Sequence, residues 1–361
     1  MQNLVLHNVN LTSKHDLILV INYGSPLTGL IVKKIRELNG YSILSKDDVC
    51  LAKYLEINKV NPIKGVILSG GPASVYNDNY PTCNEQLLNY LVQNKIPILG
   101  ICYGMQLLAK IYGGTVTKAL IEEHGHTPIK LTNNSTLHDN ISGAANIWMS
   151  HGDEVTTLPQ GFILTSNSDN CGITSYENVE LNIYGVQYHP ESQNTKDGGI
   201  IIDNFINSIC KINKSWTTEY MTKSVIHNVK QLLGNSCILY QINSSVTSII
   251  LAKILKITVG DNVIFIDGGC DKEIIQELLK NWNIEFNLNN NLQELKKQYS
   301  TIGYIAGDNF LHDTISKNDM IITTDKILNE IIIANILHPF EHLFLDEILS
   351  IGKYIDTTIL R

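Results

Sequence analysis

Across its first two hundred residues the chain alternates short, nearly all-apolar runs with amphipathic stretches. Leu17–Asn22, Gly65–Leu68 and Ile96–Gly100 predict strands, whereas 26–38, 84–93 and 103–112, with apolar residues recurring every three or four positions, predict helices. Runs that are apolar on both faces suit parallel strands covered by helices, so the alternation predicts an α/β fold with a doubly wound sheet. After residue 115 the pattern changes. Residues 116–119, 129–131, 147–149, 162–166, 171–175 and 183–188 predict strands joined by turns, which makes the sheet mixed. A helix near 199–211 follows, and Lys211–Ser215 is polar and without periodicity. The chain is therefore expected to divide into a first domain over 1–210, a linker and leading helix over 211–235, and a second α/β domain over 236–361. In that second part 216–233, 246–256 and 271–281 predict helices, 238–242 and 263–267 predict strands, and the asparagine tract 287–291 predicts a loop.

Gly100-Ile101-Cys102-Tyr103-Gly104 stands directly behind the apolar run 96–99, which puts a cysteine on a sharp turn from a buried strand into a helix. Such an elbow exposes the sulfur, and the positive end of the new helix favours thiolate. A cysteine nucleophile also needs a base and a group to orient it. Gly185–Glu191 supplies both, running from a strand into a loop that carries His189 and Glu191. Ser69-Gly70-Gly71-Pro72 adds a glycine turn behind a third strand, where backbone can approach a ligand closely.

Together these segments resemble the class I glutamine amidotransferases, and within them the glutaminase half of the GMP synthetases. Ile18–Ser25, Leu68–Pro72 with Ser74-Val75-Tyr76, Gly100–Leu108, Trp148–Asp153 and Gly185–Glu191 stand in that family's order and at its spacing, over residues 17–210. The resemblance implies a flavodoxin-like first domain and a Cys102, His189, Glu191 triad that hydrolyses the side-chain amide of glutamine, or a related γ-glutamyl amide, through a γ-glutamyl thioester, releasing ammonia. It implies backbone N–H groups of Gly71 and Tyr103 as oxyanion donors. It also implies Gln106, Ser150, His151, Gly152 and Asp153 as the residues that hold the amino-acid end of the substrate. One departure is Asn22-Tyr23-Gly24-Ser25-Pro26, where the family has Asp-Phe-Gly-Ser-Gln.

The second domain resembles the family's ATP pyrophosphatase, an adenine nucleotide alpha hydrolase fold, in a degenerate form. Asn243-Ser244-Ser245-Val246-Thr247-Ser248 stands where the family has Ser-Gly-Gly-Val-Asp-Ser. Serine side chains replace the two glycines that let backbone touch pyrophosphate, and Thr247 replaces an acid used near magnesium. Asp267-Gly268-Gly269 and Ala306–Asn309 also depart from the family's motifs, and no counterpart of its C-terminal dimerisation domain precedes the end at Arg361. ATP and magnesium are therefore not expected as cofactors, no metal site is predicted, and a monomer, or a dimer built on another surface, is expected in place of the family dimer. Two other readings compete: a diverged GMP synthetase converting XMP to GMP, and a non-catalytic protein that senses glutamine or binds a partner.

Composition narrows the remaining choices. With 361 residues there is enough chain for two cores, and 27 basic against 35 acidic residues give a formal charge of −8, which disfavours nucleic acid as a partner. Seven scattered cysteines without CxxC spacing predict neither a disulfide framework nor a zinc site. The first residues lack the basic and apolar blocks of an export signal, and no run is long enough for a bilayer, so a cytoplasmic protein without membrane contact is expected.

Overall fold

The computed structural model describes residues 14–141, 144–233, 238–242, 244–267, 286–287, 303–305, 320–322, 336–337, 340 and 343–356. These fall into two compact units, divided between Trp216 and Thr217.

The first unit runs β1 (Leu17–Asn22), α1 (Thr28–Glu37), β2 (Tyr41–Lys46), α2 (Leu51–Val60), β3 (Ile63–Leu68), α3 (Glu85–Gln93), β4 (Ile98–Ile101) and α4 (Tyr103–Ile111). It continues through β5 (Thr115–Leu131), β6 (Ala144–Thr157), β7 (Ile163–Asn167), β8 (Ser175–Asn178), β9 (Ile183–Val186) and α5 (Gly198–Asp203), which passes into a π-helical turn over Asn204–Ile209. Nine strands form one sheet in the order β2-β1-β3-β4-β9-β8-β7-β5-β6. Its β2-β1-β3-β4-β9 half is parallel and its other half antiparallel, a mixed α/β sheet of the expected class.

The central strands are buried because their sequences are apolar on both faces: Leu17, Ile18, Leu19 and Val20 of β1 are fully buried, as are Ile98, Leu99 and Ile101 of β4. Each such side chain withdraws from water at a gain of roughly 1.5–3 kcal/mol. Helix α4 is buried from Tyr103 through Ala109, so it is an internal helix, and its packing fixes the chain immediately behind Cys102.

The structure departs from the sequence reading in several places. Strand β2 and helix α2 carry no clear apolar period, since β2 is the sheet edge and α2 buries only Tyr54 and Ile57. Residues 116–119 and 129–131 belong to one long strand, β5, whose middle is largely exposed, with Leu120 and Ile121 in solvent, so no apolar alternation marks it. Residues 171–174 are not strand. Ser168 and Cys171 close a turn in which the Ser168 N–H donates to the Cys171 carbonyl, and β8 begins only at Ser175. Strand β9 ends at Val186, before the loop that holds His189.

Residues 211–216 lie along the first unit. The Asn213 N–H donates to Asp16, Ser215 meets the His15 ring at 2.6 Å, and buried Trp216 stacks on Tyr41 with ring centroids 4.7 Å apart.

The second unit contains α6 (Thr218–Leu233), β10 (Ile238–Ile242), α7 (Val246–Val259), β11 (Val263–Asp267), the short strands β12 (Phe286–Asn287), β13 (Gly303–Ile305), β14 (Met320–Ile322) and β15 (Ile336–Leu337), and α8 (Leu345–Tyr354). Its six strands pair in parallel in the order β12-β11-β10-β13-β14-β15, again an α/β arrangement. The helix expected over 271–281 and the tract beyond Asn287 lie outside the described residues. Among the described residues no helix is long and apolar enough to cross a membrane.

Candidate active site

Cys102 is the single residue between β4 and α4, with φ 52° and ψ −108°, a conformation that L-residues rarely adopt. The glycines on either side make the turn possible. A Cβ on Gly104 would lie 2.2 Å from the Leu68 carbonyl oxygen, and one on Gly100 would lie 2.6 Å from the backbone of Gly104, so α4 packs on the strands only because both positions lack a side chain. The Cys102 N–H donates to the Val186 carbonyl at 2.8 Å. That bond ties the elbow to the end of β9, and the chain then carries His189 back over the cysteine.

His189 is positioned from both sides of its backbone. Its N–H donates to the Trp148 carbonyl at 3.0 Å, and its carbonyl accepts from the Thr195 hydroxyl at 2.7 Å. Its ring hydrogen-bonds the Cys102 side chain, and its Nδ1 lies 2.8 Å from Glu191 Oε1. Burial alone would push the imidazole pKa down, but the hydrogen bonds and charges of Cys102 and Glu191 outweigh it and raise the value to about 10. Glu191 Oε2 is buried with no hydrogen-bond partner among the described residues. Gly70 closes the other side, where an added Cβ would stand 3.2 Å from the His189 ring and 3.6 Å from the Cys102 Cβ.

The remaining predicted residues divide in their placement. Gly71 sits so close to Tyr23 that a Cβ would lie 2.4 Å from its carbonyl oxygen, and Tyr103 opens α4 with its hydroxyl donating to the Pro81 carbonyl. Ser150 is exposed and its carbonyl lies 3.8 Å from the Cys102 sulfur. Gln106 is turned into the protein, its amide donating to the Asp153 carbonyl at 2.9 Å and to Gln187 at 3.0 Å. The Asp153 carboxylate accepts from Ser74 at 2.5 Å and Tyr76 at 2.6 Å, so it latches the glycine turn to β6. Gly152 is half-buried beside the Glu122 side chain. The His151 ring is held by Asp153 and Glu123, with Nδ1 3.0 Å from the Asp153 carbonyl and Nε2 3.2 Å from Glu123.

Sequence reasoning missed Glu123 as part of this site, and it noticed Gly70, Ser74 and Tyr76 only as members of motifs. Glu123, His151 and Cys171 are the group among the described residues whose donor atoms, all within 4.8 Å of one another, suit a metal ion. It is distinct from Cys102, His189 and Glu191. Its Cys171 thiol is raised to about 12, chiefly by burial.

In the second unit, Asn243 lies outside the described residues. Ser245 caps α7, its hydroxyl accepting from the Ser248 N–H at 3.2 Å and lying 3.2 Å from the Thr247 hydroxyl, while Ser248 meets the Tyr240 hydroxyl at 2.7 Å. Ser244 is exposed.

Comparison with known proteins gives consistent relatives. Residues 19–209 match the family model of class-I glutamine amidotransferases. A GMP synthase (glutamine-hydrolyzing) of Ruthia magnifica is 40% identical over 271 residues, 73% of this chain and 50% of the relative. The enzyme of the same name from Bacillus cytotoxicus is 36% identical over 279 residues, covering 76% of this chain and 53% of its own length. The chain thus spans about half the length of the curated relatives it matches. Among solved structures, a GMP synthase subunit protein of Thermoplasma acidophilum has 27% identity and a TM-score of 0.46, covering 55% of this chain and 95% of that one.

Proposed function

The chain belongs to the class-I glutamine amidotransferase family, and from that premise we propose that its first unit hydrolyses the side-chain amide of glutamine through a Cys102, His189, Glu191 triad. The observation that carries this reading is the strained backbone of Cys102 with the His189–Glu191 pair against its side chain. Cys102 Sγ attacks the amide carbon, and its proton resides on His189. As the tetrahedral intermediate collapses, the C–N bond breaks and His189 gives that proton to the leaving nitrogen, releasing ammonia and a γ-glutamyl thioester. Water then adds to the thioester with His189 as base, the C–S bond breaks, and glutamate leaves. Glu191 holds the ring and stabilises the imidazolium. The backbone N–H groups of Gly71 and Tyr103 stabilise the oxyanion, and the Ser150–Asp153 stretch holds the amino-acid end of the substrate.

We further propose that the second unit does not activate a nucleotide. Serines occupy the positions where the resembling loop needs glycine, and Ser245 and Ser248 are engaged with their own helix and with Tyr240. A second reading, synthesis of GMP from XMP, is favoured by one observation: the relatives align over 271 and 279 residues, more than the first unit contains. One assay separates the two. Purified chain is given glutamine alone, then glutamine with ATP, magnesium and XMP, while glutamate, AMP and GMP are followed separately. Glutamate without AMP or GMP supports the glutaminase reading; XMP-dependent AMP and GMP support the second; no glutamate in either case overturns both.

A further inference from the structure

The pairing of β5 with β6 lapses beside Cys102. Lys118 faces Asp153 and Glu123 faces His151, so four residues of β5 stand opposite Gly152 alone and no ladder bond holds the intervening chain. The unpaired Gly152 lies two residues beyond Ser150, whose carbonyl approaches the Cys102 sulfur. At that position something other than sheet pairing must fix β6.

We infer that Glu123 is a positioning residue which, through His151, sets the Ser150–Asp153 stretch against Cys102 for binding of the amino-acid end of glutamine. This inference rests on the glutaminase reading above. His151 Nδ1 faces the Asp153 carbonyl, which only accepts, so Nδ1 carries a hydrogen and donates it. Its Nε2 faces Glu123 Oε2 at 3.2 Å, and both side chains are buried. Glu123 is itself held by Ser168 at 3.1 Å and Asn170 at 3.4 Å, from the turn between β7 and β8. The same Asp153 carbonyl also receives the Gln106 amide from α4. A connected set of buried polar groups therefore joins β5, the 168–171 turn, β6 and the nucleophile's own helix. Truncating Glu123 would leave His151 Nε2 buried and unpaired next to Gly152, the one position of Ser150–Asp153 that has no partner on β5.

The test compares Glu123→Ala and Glu123→Gln with the wild-type full chain. Active sites are titrated through Cys102 with iodoacetamide, which needs no glutamine recognition. Glu123→Ala is expected to raise KM for glutamine about tenfold or more while kcat per titrated site changes less than about threefold. Glu123→Gln keeps a side chain of the same shape, with an amide able to hydrogen-bond Nε2, and is expected to stay within about threefold of wild type in KM. A loss of titratable sites with KM unchanged in the remainder means a merely structural role and overturns the inference. A Glu123→Gln variant as impaired as Glu123→Ala also overturns it, as does stoichiometric zinc that is lost on Glu123→Gln, which would make the cluster a metal site. Should Glu123→Ala fail to fold, His151→Asn is measured in its place with the same expected KM rise.

If wild-type chain releases no glutamate, the glutaminase reading fails by itself, and the brace is read from protection of Cys102 by glutamine against iodoacetamide. Protection in the wild type that weakens about tenfold in Glu123→Ala supports the brace; no protection in the wild type overturns it.

Discussion

Glu191 Oε1 lies 2.8 Å from His189 Nδ1 across a single proline position, and both side chains are buried. The contact is a charge arrangement as well as an orientation, because it opposes the burial that would strip the proton from the ring. The His189 pKa in the fold, about 10, lies above its unfolded value near 6.5. Its contribution to stability is therefore fully present below pH 6.5 and is lost as pH rises toward 10. Glu191→Gln is expected to bring the ring pKa down and to flatten this alkaline loss of stability. It should also cut kcat by about 10²-fold or more, a smaller loss than removal of the nucleophile. Nuclear magnetic resonance titration of the ring, with denaturant melts from pH 6 to 10, checks both; an unchanged ring titration would falsify the proposed role of Glu191.

The backbone of Cys102, the proposed nucleophile, stores strain. A non-glycine residue in this region costs on the order of 1–3 kcal/mol, against roughly 0.5–1 kcal/mol for the extra chain entropy of glycine. Cys102→Gly is thus expected to be more stable than Cys102→Ala by about 1 kcal/mol, with both variants devoid of glutamine hydrolysis. Urea melts of the two variants decide it: equal midpoints would mean that the elbow is unstrained, and residual turnover in either would remove Cys102 from the nucleophile's role.

Much of the site was legible because its signals are local. Cys102 follows an all-apolar strand between two glycines, and His189 and Glu191 lie two residues apart behind another strand, so short windows of sequence carry the geometry. The brace was not legible. Glu123 and His151 meet through an irregular strand pairing, and Glu123 sits in a stretch of β5 with no apolar alternation to announce a buried residue. The same physics hid β2 and α2, whose burial comes from one edge of the sheet and leaves their sequences half polar. Asp153 was legible by motif but not by contact, since its partners Ser74 and Tyr76 come from the glycine turn of another strand.

His138 behaves oppositely to His189. It is buried with Nε2 2.8 Å from the Tyr188 hydroxyl and Nδ1 without a partner among the described residues, and burial lowers its pKa to about 4. The fold therefore holds the neutral ring, and its contribution is present above pH 6.5 and lost as pH falls toward 4, by up to about 3 kcal/mol. His138→Gln retains a group that can hydrogen-bond Tyr188 and cannot charge. Melts between pH 7 and 4.5 should show the variant losing less stability than wild type; parallel losses would place the acid sensitivity elsewhere.

The loop that opens α7 yields the last prediction. A pyrophosphate cradle needs backbone N–H groups free of overhanging side chains. Here Ser244 and Ser245 stand at the expected glycine positions, and the Ser245 hydroxyl takes the Ser248 N–H, one of the donors at the start of the helix. Thr247 supplies no carboxylate for magnesium. If, as proposed, the second unit binds no nucleotide, ATP and XMP have no differential affinity through which to shift the proposed glutaminase between states. Glutamate release by the full chain is therefore expected to proceed without nucleotide and to change less than about twofold on adding ATP, magnesium and XMP. An acceleration of about tenfold, roughly 1.4 kcal/mol of coupling, would mean that the second unit binds nucleotide and reports it to Cys102, and the reading of this loop as a helix cap would have to be abandoned.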